Sequence, residues 1–309
     1  MGVTVLCGPN DYARSRELSK LTSAFIEAYG DIGLEPIDGE SVTPTRLQEA
    51  ITSLPFLAAK KMVVVKNLSG NKAAVEKIDE LLSAISDTTD FVLVESKVDK
   101  RSVYYKLLKK QPTFIACEPL DQPALAKWAT QYAKEKSGTL ATNDANYLIG
   151  RLGDSQQLLA SEIDKLLLYN KAITRQSIDL LTEPTPSSTV FELLGAAFEG
   201  RTKAAIGIYE EQRRLRVEPQ AILALIAWQL HLLSLIKTAK DRSSADIARA
   251  AGVSPFAVGR SMTIARQISA ADLKHLVHET LILDTRLKSE SIDTDGAMKN
   301  LLLKIANIQ

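Results

Sequence analysis

Residues 3 to 15 read Val3-Thr-Val-Leu-Cys-Gly8-Pro-Asn-Asp-Tyr-Ala-Arg-Ser15, a β-branched strand that runs into a turn at Gly8 and then into a helix. Further strands of this kind are predicted before residue 120, at Leu34–Asp38, Met62–Leu68, Phe91–Ser96 and Thr113–Pro119. Segments with helical spacing separate them, at roughly residues 11–30, 43–53, 71–86 and 101–110. Strands that alternate with helices predict a parallel sheet with helices on both faces.

The composition of the chain changes after Pro119, because no further β-branched runs occur. Everything from there to Gln309 is predicted to be helical, so the fold class is α/β plus all-α. Within residues 154–169 the apolar side chains fall on one stripe, which predicts a helix that packs on one face. The segment Glu183–Thr189 is rich in helix breakers and separates a small helical part from a larger C-terminal one.

One apolar segment, Ala221–Ile236, has to be weighed as a membrane span. It is interrupted by Gln229 and His231 and is shorter than the ~20 residues that cross a bilayer. We therefore predict a buried helix in which His231 is an ordinary core histidine, and no membrane as a partner.

The charge balance limits the class of partner. The 309 residues include 38 Lys and Arg against 37 Asp and Glu, a formal net charge of +1. Because affinity for nucleic acid depends on basic side chains that neutralise phosphates, DNA is not expected to be the dominant direct partner. Cys7 and Cys117 are the only cysteines, too few for a disulfide framework or a paired-cysteine zinc cluster. With an N-terminus that lacks a signal-peptide pattern, this predicts a cytoplasmic protein.

The turn after the first strand lacks the residues that bind phosphate. A nucleotide-binding sheet should carry G-x-x-x-x-G-K-S/T here, with backbone amides around the phosphates. Gly8 is kept, but Ala13 and Arg14 stand at the second Gly and the Lys, with Ser15 after them. Pro9 also removes one backbone donor. We predict that this site is disabled.

Two other features of an ATPase are missing. The apolar run Met62–Val65 ends in Lys66-Asn67, where an acidic residue would orient magnesium. The turn Gly153-Asp154-Ser155-Gln156 resembles the Gly-Asp-x-Arg turn of AAA+ lids, with Gln156 in place of the Arg. The residues alone leave open that the sheet was never of the ATPase type. No catalytic residue, cofactor or metal ligand is predicted.

Four segments, taken in order, resemble a known family. They are Ser53–Val65, Lys97–Arg101 after a strand, Glu162–Tyr169 followed by Ile173-Thr174, and Ile247–Phe256. Their order and their spread over nearly the whole chain resemble the delta subunit of the bacterial DNA polymerase III clamp loader. That family keeps an AAA+ architecture without binding ATP, in agreement with the missing phosphate-site residues.

The resemblance implies three domains and a set of partners. The domains are a degenerate AAA+ module at 1–136, a small helical lid at 137–200 and a C-terminal helical collar at 201–309. The implied function belongs to DNA replication: a non-catalytic subunit of the DNA polymerase III holoenzyme, a DNA-directed DNA polymerase and nucleotidyltransferase complex. The subunit would bind the sliding clamp and promote its opening for loading onto primed DNA. The collar would join other clamp-loader subunits, and DNA would be met through the complex.

In this family a short apolar tip between the second and third strands holds the clamp, and the matching residues here are Leu54, Phe56 and Leu57. Pro55 pushes the residue before it out of the helical region and so ends the preceding helix. From the residues alone, these side chains could instead seal the crossover helix against the sheet. Lys60 and Lys61 either face an acidic clamp surface or mark a charged entrance to the strand. Asp99 is predicted to cap the helix that follows it.

Two alternative functions remain open from the residues. Ala245–Arg260 resembles a DNA-binding helix-turn-helix, with a Gly after one helix and a Ser before the next. Its second helix begins Pro255-Phe256-Ala257-Val258, which offers few hydrogen-bonding groups to base edges, so a structural turn is favoured. An active AAA+ type NTPase would need another Lys and an acidic pair, which we do not find.

Overall fold

A computed structural model describes residues 2–239 and 242–308 of the chain. The chain forms two compact units, Met1–Pro119 and Leu120–Gln309. The boundary between them follows Pro119, where the β-branched runs end in the sequence.

The first unit is built on a five-stranded sheet in the order β2-β3-β4-β1-β5, with every neighbouring pair parallel. This confirms the predicted parallel sheet, and the five predicted strands are all present. The strands are β1 (Val3–Cys7), β2 (Leu34–Asp38), β3 (Lys61–Lys66), β4 (Thr89–Glu95) and β5 (Thr113–Ala116).

Helices connect these strands: α1 (Asp11–Tyr29), α2 (Pro44–Thr52), α3 (Lys72–Glu76), α4 (Ile78–Ser83) and α5 (Val103–Leu108). The single helix predicted over 71–86 is wrong, because the structure has two short helices there. The chain tightens at Lys77, whose amide donates to the carbonyl of Ala74 at 3.2 Å, a bond over three residues instead of four.

The sheet is covered on both faces. Val5, Val63 and Phe91 belong to the core cluster on one face, which also holds buried residues of α2, α4 and α5. Leu6 and Val92 belong to the cluster on the other face, together with Phe25 of α1. Strands buried on both faces read as continuous apolar runs, which explains why the central strands β1, β3 and β4 could be recognised in the sequence.

The second unit is mostly helical. Its helices are α6 (Gln122–Glu135), α7 (Thr142–Leu152), α8 (Gln156–Tyr169), α9 (Arg175–Leu181), α10 (Pro186–Phe198), α11 (Thr202–Arg214), α12 (Pro219–Thr238), α13 (Ser244–Ala251), α14 (Pro255–Gln267), α15 (Ala270–Ser289) and α16 (Thr294–Ala306). The expectation of helix alone is wrong in one place, because β6 (Thr139–Leu140) and β7 (Ala172–Ile173) form a short parallel pair.

Helix α12 runs through the C-terminal bundle and packs against α10, α14 and α15. Its 20 residues make it longer than the predicted segment, and by length and composition alone it could cross a membrane. Ile226, Leu230 and Leu233 are buried in the core of this bundle. His231 is exposed, so its predicted place in the core is wrong.

The three-domain division at residues 136 and 200 stays a prediction. Helix α6, assigned to the first domain, packs against α7 and α8. Helix α10, assigned to the lid, contributes Val190, Leu193 and Leu194 to the core of the C-terminal bundle. The packing therefore favours boundaries near residues 120 and 186.

Candidate functional site

The backbone amides of the loop after β1 donate hydrogen bonds to other parts of the same unit. The amide of Gly8 donates to the carbonyl of Glu95 at 3.0 Å, and that of Asn10 donates to the carbonyl of Cys117 at 2.9 Å. Pro9, between them, has no amide hydrogen. A phosphate at this loop would meet amides that already donate to carbonyls at the end of β4 and just after β5.

The side chain of Arg14 fills the same loop. It is buried, and its guanidinium donates to the carbonyl of Gly8 and to Asp11 Oδ1, the latter at 2.8 Å. Gly8 has φ +139°, and a Cβ there would lie 2.3 Å from the carbonyl oxygen of Cys117, so only glycine fits. Arg14, which stands where the phosphate-binding motif has its lysine, thus holds the loop closed from inside.

The end of β3 also differs from a magnesium site. Lys66 is exposed, and Asn67 accepts a hydrogen bond from Ser96 Oγ at 3.0 Å. On the neighbouring strand β4, Glu95 is fully buried. Its carboxylate accepts from the Ser69 amide at 3.0 Å, from Ser69 Oγ at 2.6 Å and from Tyr104 Oη at 2.7 Å. These bonds use the carboxylate within the protein, and burial raises the pKa of Glu95 above its ordinary value.

The predicted tip lies at the opposite, amino edge of the sheet, between the end of α2 and the start of β3. Leu54, Phe56 and Leu57 are 77%, 80% and 78% exposed. The alternative in which these residues seal the crossover helix against the sheet is therefore wrong. Three large apolar side chains stand in solvent within four consecutive positions.

The backbone conformation presents these side chains. Ser53, the C-cap of α2, has extended backbone angles, so the chain leaves the helix there. Leu57 has φ 56°, in the left-handed region that β-carbon-bearing residues seldom adopt. The segment from Ser53 to Leu57 is therefore a specific turn and not a continuation of the helix.

Lys61 holds the base of the tip. Its buried ammonium donates to the carbonyl of Ala50 in the last turn of α2 and to Ser53 Oγ, the latter at 2.7 Å. A cation at a helix C-terminus is favourable, because the last carbonyls carry partial negative charge. Burial lowers the pKa of Lys61. The idea that Lys61 faces an acidic partner is wrong.

Asp99 does not cap α5 as predicted. Its carboxylate accepts from the Arg101 amide at 2.9 Å in a turn, and Ser102 is the N-cap, accepting from the Tyr105 amide at 3.1 Å. The helix starts at Val103, two residues later than the sequence predicts. Both residues are good caps by type, so the sequence could not decide between them.

The helix-turn-helix segment is a structural turn. Gly252 ends α13 in the left-handed region, and Ser254 caps α14 as the turn chemistry predicts. Phe256 and Val258 are buried, and Ser254 Oγ donates to Asp154. Arg260 stacks on Phe191, with its guanidinium carbon 3.9 Å from the ring centroid. The side chains that would read DNA are therefore packed within the helical unit.

Sequence reasoning missed the roles of Arg14, Lys61 and Glu95. From the sequence, Arg14 could be recognised only as a residue that replaces the lysine of the motif. Its hydrogen-bond acceptor is a backbone carbonyl, which a residue of any type could supply. Lys61 looked like a surface charge because its partners belong to the preceding helix and become neighbours only in the folded sheet. No local pattern signals such contacts.

The sheet order, the loop after β1 that Arg14 fills and the helical second unit define a degenerate AAA+-like subunit. Two family models identify the family. That of the DNA polymerase III delta subunit matches residues 6–118, and that of the C-terminal domain of the delta subunit matches residues 187–305. The chain belongs to the DNA polymerase III delta subunit family.

Known relatives agree with this family. The solved structure of the Bacillus subtilis DNA clamp loader delta protein superposes with a TM-score of 0.81 at 22% identity, over 99% of this chain and 95% of that chain. The curated DNA polymerase III subunit delta of Bacillus subtilis strain 168 is 25% identical over 325 aligned positions, covering 99% of this chain and 92% of the relative. The structural match confirms the predicted fold class.

Proposed function

We propose that this chain binds a sliding clamp through Leu54, Phe56 and Leu57 and promotes opening of the clamp for loading onto primed DNA. The observation that carries the proposal is the exposure of these three side chains on one turn at the amino edge of the sheet. Exposed aromatic and aliphatic side chains that enter a partner's pocket supply most of the energy of many interfaces. Membership of the delta family supports the same partner.

Opening of a clamp does not require chemistry in this subunit. A protein that binds an open ring better than a closed one shifts the ring toward opening by the difference between the two binding energies. Because Arg14 fills the loop after β1, the proposal leaves ATP binding to other subunits of the complex. The tip would then act as a binding element whose access the rest of the complex controls.

The proposal extends to assembly. Other clamp-loader subunits would contact the helical C-terminal part, residues 201–309, where Val277 and Leu281 of α15 are exposed apolar side chains. The assembled complex, and not this chain alone, would contact DNA, in keeping with a net charge of only +1. The setting would be the cytoplasm, as for replication proteins.

The test is a double variant, Phe56→Ala with Leu57→Ala. Truncation of two adjacent anchors, each worth at least ~2 kcal/mol, should weaken clamp binding by at least ~10³-fold. The melting temperature should stay within about 2 °C of the wild type, because exposed side chains contribute little to folding. Surface plasmon resonance with the host's clamp and thermal unfolding give both values.

The matched control is Leu168→Ala, an exposed leucine on α8 in the second unit. It should leave clamp affinity unchanged. A double variant that binds the clamp as tightly as the wild type, at an unchanged melting temperature, would remove the tip from the site.

A further inference from the structure

A second apolar surface lies at the same edge of the sheet as the tip. Ile26 and Tyr29 face solvent at the end of α1, and Ile32 follows in the turn to β2; they are 41%, 40% and 69% exposed. We call these three residues the α1 patch. The tip does not include them, and no contact described above explains why they are exposed.

The turn that carries Ile32 is fixed in place. Gly30 ends α1 with φ 80°, in a conformation that favours glycine. A Cβ on Gly33 would lie 2.5 Å from the carbonyl oxygen of Lys60, so the turn packs directly on the segment that follows the tip. The ring of Tyr29 also packs against buried Phe25, with centroids 5.3 Å apart and the ring planes tilted by 44°. The α1 patch is therefore a defined surface.

The α1 patch and the tip are neighbours. The ammonium of Lys60 lies 5.9 Å from the ring centroid of Tyr29. Lys60 follows Leu57 by three residues, a stretch of chain that spans at most ~11 Å. Lys60 thus links the tip to the α1 patch, and the exposed carboxylates of Glu27 and Asp31 lie in the same stretch as the patch residues.

We propose that the α1 patch makes a second contact with the same clamp molecule that receives the tip; this rests on the proposed function. A specific interface buries ~800 Å² on each partner, more than three tip side chains supply, so the contact has to continue over adjacent surface. The clamp surface next to the tip's pocket is then apolar and carries a carboxylate that meets Lys60. A different macromolecule bound to the α1 patch would clash with a clamp bound at the tip.

A negative charge introduced at Ile32 tests this contact. The variant Ile32→Asp should weaken clamp binding by at least ~10-fold, because a carboxylate would be buried against an apolar surface without a partner. Its control is Val103→Asp, since Val103 is 79% exposed in the same unit but at the opposite edge of the sheet. The control should bind within about twofold of the wild type.

A label shows whether the clamp covers the residue. Ile32→Cys can be labelled selectively with an environment-sensitive dye, because Cys7 and Cys117 are buried and burial raises the pKa of both thiols. On addition of the clamp, the dye at position 32 should shift to shorter emission wavelength, while a dye at Val103→Cys should not. This readout does not depend on how much Ile32→Asp disturbs folding.

The outcomes separate the two proposals. In one outcome, the Phe56→Ala and Leu57→Ala variant loses clamp binding, Ile32→Asp keeps it, and the emission of the dye at position 32 does not change. The tip is then supported as a clamp-binding site, and the second contact is overturned. If Ile32→Asp binds the clamp normally but fails to join other loader subunits, the α1 patch belongs to a different partner and the inference fails. If the tip variant also binds normally, both proposals fall.

Discussion

Several single residues in this chain have structural roles that cannot be predicted from the residue type alone. Arg14 and Lys61 are basic, yet both are buried and both donate to backbone carbonyls of their own unit. The sequence predicted the loss of the phosphate site from Ala13 and Arg14, because a missing motif is a local property. It could not predict that Arg14 fills the loop, since that depends on where the carbonyl of Gly8 points.

Glu95 should make the free energy of unfolding depend on pH. Burial raises the pKa of Glu95 above 4.5, so between 4.5 and the raised value the folded state binds more protons than the unfolded chain. The contribution of Glu95 to the free energy of unfolding therefore falls as pH rises through this window, by at most ~1.4 kcal/mol per pH unit. Glu95→Gln removes this slope.

Urea unfolding of wild type and Glu95→Gln at a series of pH values from 4 to 8 measures the effect. The difference between the two free energies should change with pH in favour of the variant as pH rises. Subtraction removes the other carboxylates, several of which, such as Asp295, have lowered pKa values and the opposite pH dependence. A difference that stays constant from pH 4 to 8 would mean that Glu95 does not titrate in this range.

At the scale of elements, the sequence predicted those whose burial produces a long pattern. The central strands β1, β3 and β4 were recognised because each is a largely buried apolar run, and α12 because it is apolar almost all round. The pair β6 and β7 was missed, since Thr139–Leu140 and Ala172–Ile173 are too short for any periodicity. The break at Lys77 was missed because both halves keep helical spacing.

Helices α11 and α16 are joined by a polar contact that can be tested. Tyr209 is fully buried and its hydroxyl donates to Asp295 Oδ1 at 2.6 Å, and Arg213 Nε donates to the same oxygen at 2.8 Å. Tyr209→Phe keeps the ring and removes one bond to a carboxylate, which should lower the free energy of unfolding by about 1 to 2 kcal/mol.

Tyr169→Phe is the control for this variant, because Tyr169 is exposed at the end of α8. It removes the same hydroxyl from a site in solvent and should leave stability within about 0.5 kcal/mol of the wild type. Chemical unfolding of the three proteins decides the matter, and equal stability of all three would show that the contact with Asp295 adds nothing.

At the scale of the whole molecule, the sequence predicted a parallel α/β part followed by helices, and the family resemblance was confirmed. Whether the tip packs inward or stands in solvent could not be predicted. Leu54, Phe56 and Leu57 are apolar residues beside a strand, and such residues are usually buried. Their exposure depends on the path of the chain after Ser53, which Lys61 and the left-handed Leu57 fix only in the folded protein.

The intact chain should not bind ATP. The loop amides of Gly8 and Asn10 already donate to carbonyls at the end of β4 and just after β5, and Arg14 occupies the space beside them. Isothermal titration with MgATP should show no binding at micromolar concentrations, for the wild type and for Arg14→Lys alike, since the lysine does not free the amides. Micromolar affinity in the wild type would contradict the prediction that the phosphate site of this chain is disabled.

The phosphate loop follows β1 and the tip precedes β3, so they lie at opposite ends of the parallel strands. We expect substitutions at one end to leave the packing at the other end unchanged, since the buried strands β1, β3 and β4 separate the two ends. A lineage could therefore give up nucleotide binding by a few changes after β1 without any altered selection on the turn before β3.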